Sequence, residues 1–148
     1  MSKSELGKEI DFGIENLNKI HSRMLDFVVL EVDHELKVSA MTYECLGYYN
    51  AIEHLMLRII KYLKMTKPSG AFSHRDTLVL YEKLLREASI DTESETVKVI
   101  ESLMAFRHVA TKIYGFLIDW SKLHTVIKDI ELQHENIIQT FLKLFDTL

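Results

Sequence analysis

Apolar residues recur at steps of three and four along almost the whole chain, and no strand-like alternation persists, so the pattern predicts an all-α bundle. Residues 4–33 read as a first long helix, with Ile10, Ile14, Leu17, Met24, Phe27 and Val28 on one stripe and Glu and Lys on the other side. "VDHE" interrupts it, and Asp33 stands where it can cap the next helix. A second helix over about 35–64 carries Tyr49, Ile52, Met56, Ile59 and Leu63 on its apolar side. "MTKPSGAFSH" ends it, because Pro68 disfavours helix at Lys67 and Gly70 frees the backbone.

A third, shorter helix is expected over about 75–88, with Ser73 as its cap. "SIDTES" is the next turn, where Thr92 or Ser94 followed by acids makes a helix start. The fourth helix, about 93–116, places Val97, Ile100, Leu103, Phe106, Ala110 and Ile113 inward and stops at Gly115. After "FLIDWS", with Asp119 or Ser121 as N-cap, a fifth helix runs to the end on Leu123, Ile127, Ile130, Ile137, Phe141, Leu144 and Phe145. No internal repeat or low-complexity linker divides the chain, so one domain of about five helices is expected over 1–148.

Composition narrows the function classes. A net charge of −4 across 148 residues argues against bulk attraction to nucleic acid and leaves only a local patch. Cys45 is the one cysteine, which excludes an internal disulfide and a thiolate metal cluster and suits a reducing, cytoplasmic compartment. The N-terminus lacks the apolar core of a signal peptide, and "FVVL" and "LMLRII" are far shorter than the roughly 20 residues of a membrane span, so no membrane association is expected. His21, His34, His124 and His134 are scattered singly without ligand spacing; no metal and no cofactor is expected. Trp120 is read as packing the start of the last helix. Nucleophile elbows and glycine-rich phosphate loops are both missing from the sequence.

"FRHVATKIYGF" (106–116) holds the densest chemistry. At about 100° per residue, Arg107, His108, Thr111, Lys112 and Tyr114 share one half of a helix, and Phe106, Val109, Ala110, Ile113 and Phe116 take the other, core-facing half. A solvated helix face accounts for that separation. The residue types go further: arginine offers a planar fork for phosphate, histidine moves a proton near neutral pH, and tyrosine donates or is modified. Metal-free RNA cleavage needs a base for the 2′-hydroxyl proton, an acid for the leaving oxygen and a cation at the phosphate.

At these residues the chain resembles the HEPN superfamily, specifically the HepT-like ribonuclease toxins of HEPN/MNT toxin–antitoxin modules. Their motif is Arg, four residues, His, any residue, Tyr; Arg107 and Tyr114 match it, and its histidine falls on Lys112. "YYNAIEHLMLRI" (48–59), "PSGAFSHRDTL" (68–78) and "FRHVATKIYGFLIDWSKL" follow the same branch in order over roughly residues 40–130. The resemblance implies an up-and-down helical bundle that homodimerises, placing two motif helices on one cleft. It also implies metal-independent endoribonuclease activity, with Arg107 at the scissile phosphate, and a minimal nucleotidyltransferase antitoxin that adenylylates Tyr114.

A lysine ammonium is a poor general base at neutral pH unless burial strips its proton. His108, one turn earlier, offers a substitute, but it sits about 6 Å away along the axis, and such chemistry tolerates little misplacement. The expectation is therefore a HEPN fold with impaired ribonuclease activity, its catalytic face made of Arg107, His108 and Lys112. Glu53 is expected to pair with Arg107 and aim it, with Asn50 nearby on the second helix; His74 and Arg75 are explained by capping and loop exposure. A different class remains open, a non-enzymatic helical module that binds a nucleotide or a partner protein through the same face.

Overall fold

The computed structural model describes residues 1–90, 95–114 and 117–148. Among these residues five α-helices follow one another: α1 Lys3–Val28, α2 His34–Tyr62, α3 Ser73–Glu87, α4 Thr96–Ala110 and α5 Trp120–Asp146. No strand occurs among the described residues, and none of their helices is long and apolar enough to cross a membrane. The long helix α2 packs against all four others and carries the most densely buried face, from Val38 through Met41, Cys45, Ile52 and Met56 to Ile59.

The helix ends reflect local chemistry. A capping box starts α1, with Ser2 Oγ accepting from the Glu5 amide and Glu5 accepting from the Ser2 amide, both at 3.1 Å. The first helix stops at Val28, five residues before the expected end at Asp33, where β-branched Val28 and Val29 meet. Lys37 Nζ then donates to the Val28 carbonyl at 2.9 Å and fills one of the acceptors that a helix end leaves open. Asp33 caps α2 through the Glu35 and Leu36 amides, and Asp119 caps α5 through the Ser121 amide, both as expected.

Two further expectations change. Ser73 does not cap α3: it is the first helical residue, preceded by Phe72, which offers no side-chain acceptor. The fourth helix closes at Ala110, short of Lys112 and Tyr114, and the Thr111 hydroxyl donates to the Arg107 and His108 carbonyls (3.0 and 3.3 Å), acceptors of the last helical turn. The expected start at Thr92 or Ser94 and the stop at Gly115 lie outside the described residues.

The apolar stripes predicted for α1, α2 and α5 are the core, although Ile14, Phe27, Val28, Leu63 and Phe145 are only half-buried. The histidines are not scattered. His134 is buried, accepts from the Tyr48 hydroxyl at Nδ1 and donates from Nε2 to Asn18 Oδ1, each at 2.8 Å, and stacks on His21 with ring centres 3.9 Å apart. Tilted or edge contacts at 5.8 Å bring His34 and His124 to Trp120 at the start of α5.

Candidate functional site

A cavity of about 450 Å³ opens where the first turn of α3 faces the last turns of α4, and its wall includes Phe72, His74, Arg75, Met104, Arg107 and His108. Pro68 and Gly70, the latter at φ +90°, let the chain turn back from the end of α2 so that α3 begins beside the middle of that helix. No side chain caps the first turn of α3, which places Phe72, His74 and Arg75 on the cavity wall and carries one acid, Asp76. The guanidinium groups of Arg75 and Arg107 bring positive charge to the wall, where two imidazoles also stand, and no carboxylate stands among the described wall residues. Arg107 is half-buried, which strengthens its interaction with any phosphate held there.

Glu53 lies behind this wall. Its Oε2 accepts from the Tyr49 hydroxyl at 2.8 Å and from His74 Nδ1 at 2.5 Å. Glu53 therefore holds His74 rather than Arg107, and no ion pair joins Glu53 to Arg107 among the described residues. Burial, and after it the hydrogen bond and charge of Glu53, push the Tyr49 phenol well above its ordinary range, with Arg107 opposing, so Tyr49 stays a donor. The two rings pack edge to face at 6.1 Å.

The residues expected to form one catalytic face separate. Arg107 and His108 line the cavity. Lys112 has left the helix and is exposed outside that wall, yet its Nζ donates to His108 Nε2 at 3.1 Å. Tyr114 lies further along, 73% exposed, its carbonyl accepting from the Leu117 amide at 2.9 Å. Asn50 is exposed on α2 and does not line the cavity.

The core-facing half of the wheel divides as well. Phe106 and Ala110 are buried, but Val109 and Ile113 are 53% and 42% exposed, and with Leu117 they edge an open apolar groove that continues toward Phe72. Sequence reasoning explained His74 and Arg75 by capping and loop exposure, with substrate contact as the lesser alternative, and did not place them on the cavity they line. The signal that marks them is two cation-capable side chains in the first turn of a helix whose preceding loop carries Pro68 and Gly70. Among the described residues no three His, Cys, Asp or Glu side chains converge to hold a metal ion.

Among the described residues the five helices form an all-α bundle with two arginines on a cavity between α3 and α4, a fold consistent with a HEPN-like protein. The sequence matches a family model described as HepT-like protein over residues 40–148, and the chain belongs to that family. Comparison with curated proteins and with solved structures gave no match. The matched span includes α3, α4 and α5 and most of α2, so every residue of the cavity wall falls inside it.

Proposed function

We propose that the chain is the toxin-side member of a nucleotidyltransferase-paired HepT-like module, whose Arg107 cavity takes an RNA phosphate and cleaves slowly because Lys112 stands at the motif's histidine position. The carrying observation is the convergence of Arg107, His108, His74 and Arg75 on one cavity in a HepT-like chain of net charge −4. Arg107 is the phosphate ligand. Lys112 puts an ammonium where the motif has an imidazole, and its hydrogen bond occupies the Nε2 lone pair through which His108 would act as base.

Homodimerisation through the exposed Phe72, Val109, Ile113 and Leu117 fits this reading, since contiguous apolar surface of this kind marks an interaction face. The exposure of Tyr114 suits it as the acceptor of AMP from the partner nucleotidyltransferase. Assaying the purified chain on RNA beside a Lys112→His variant tests the reading, with weak cleavage expected from the first and stronger cleavage from the second. Vigorous cleavage by the unmodified chain that His108→Ala abolishes would sink it, and silence from both would remove the ribonuclease role. Intact mass after coexpression with a cognate nucleotidyltransferase reads the modification of Tyr114 as discrete AMP increments.

A further inference from the structure

We propose that His74, oriented by Glu53 and Tyr49, is the proton-transfer residue of the Arg107 cavity; this rests on the ribonuclease reading above. The geometry meets what a histidine base requires. Its Nδ1 is committed to the Glu53 carboxylate at 2.5 Å, which fixes the tautomer and leaves Nε2 to exchange a proton. Glu53 is itself held, because its side chain is only 17% exposed and accepts a second hydrogen bond from Tyr49, a phenol that burial keeps protonated. An anchored carboxylate behind an imidazole stabilises the imidazolium that forms when the ring takes a proton. His74 lines the same cavity as Arg107, whereas the Nε2 of His108 is already engaged by Lys112.

In the reaction, the 2′-oxygen of the substrate ribose forms a bond to phosphorus as the bond from phosphorus to the 5′-oxygen breaks. The 2′-hydroxyl proton passes to His74 Nε2. The departing 5′-oxygen takes a proton from water, and the hydroxide so formed recovers the proton from His74, so the products are a 2′,3′-cyclic phosphate and a 5′-hydroxyl. Arg107 carries the charge on the phosphate throughout. Charged and titratable groups around His74 are Tyr49 and Glu53 on α2, Arg75 on α3, and Arg107 and His108 on α4.

The test uses the full-length chain expressed without a nucleotidyltransferase partner, single-stranded RNA, and the variants His74→Ala, Glu53→Gln and His108→Ala. His74→Ala is expected to lower kcat by about 10²-fold or more while RNA affinity stays within about twofold, the range a lost general base produces. Glu53→Gln, which keeps an acceptor but removes the charge, is expected to move the acidic limb of the pH–rate profile, where a general base gains its proton, to lower pH, a change that a purely structural role would not produce. Cleavage that survives His74→Ala and disappears in His108→Ala overturns the assignment and leaves the ribonuclease reading standing. No cleavage by the natural chain despite RNA binding overturns both.

Discussion

Lys112 reaches back to His108, its ammonium donating to the imidazole Nε2 at 3.1 Å although the helix that carried the chain there ended at Ala110. The contact gathers one more cation beside the cavity that Arg107 lines, at a place where the proposed substrate brings phosphate. Replacing Lys112 by alanine is therefore expected to weaken single-stranded RNA binding uniformly across sequences. The salt dependence should flatten by about 0.7 in the slope of log K against log salt, the loss of one phosphate contact. Fluorescence anisotropy titrations at several salt concentrations measure it, and an unchanged slope would remove Lys112 from the binding surface.

Pairing of two copies is expected to depend on the exposed apolar edge of the groove. Val109→Glu with Ile113→Glu places two charges where the proposed interface excludes water, and a charge buried without a partner is strongly unfavourable. Both side chains are largely exposed in the single chain, so its fold should be spared and far-UV circular dichroism should not change. Sedimentation velocity is expected to show a dimer for the natural chain and a monomer for the double variant. A variant that still sediments as a dimer moves the interface to another face.

Close approach of α1 and α2 rests on Gly13. A Cβ at that position would lie 2.4 Å from Leu55 Cδ2 and 2.8 Å from its Cγ, and Leu55 is buried. Alanine is favoured over glycine inside a helix by about 1 kcal/mol, but overpacking a core costs about 1–3 kcal/mol, so Gly13→Ala is expected to destabilise on balance. Gly47→Ala is the control, because its Cβ would meet only Ile20 Cδ1 at 3.7 Å. Thermal unfolding should show a lower Tm for the first and an equal or higher Tm for the second; a rise for both would mean that Leu55 repacks freely.

The contrast between core and cavity explains what the sequence alone reveals. Periodicity identifies α2 and α5 almost to their ends because their buried stripes run unbroken, and Asp33 and Asp119 are caps whose chemistry acts within three residues. The end of α4 is harder. Arg107 to Tyr114 keeps a helical spacing of polar residues, which carries the expected helix past Ala110, where it ends with the Thr111 hydroxyl bonding back to two carbonyls of the last turn. The Glu53–His74 pair is hidden for another reason, since its partners are 21 residues apart and meet only because the loop around Pro68 and Gly70 folds back. His134 looks in the sequence like one more lone histidine because its contacts to Asn18 and His21 join the first helix to the last.

That interior cluster gives the fold a definite pH response. Burial, then the proximity of His21, lowers the His134 pKa from 6.5 to about 4, with Glu135 opposing, and burial lowers His21 too, with Glu131 opposing. The hydrogen bonds agree, because Nδ1 accepts from Tyr48 and has no room for a proton while Tyr48 keeps its own. Between pH 6.5 and about 4 the unfolded chain binds a proton at His134 that the folded chain refuses, so stability rises with pH through this window and is lost as pH falls. For a side chain this buried the full difference is roughly 3 kcal/mol, reached near the lower end of the window. Urea unfolding at pH 7 and at pH 5 is expected to show a loss of stability that is smaller in His134→Gln, which keeps polar atoms in the site but cannot take the proton. Equal losses in the two proteins would assign the acid sensitivity to other groups.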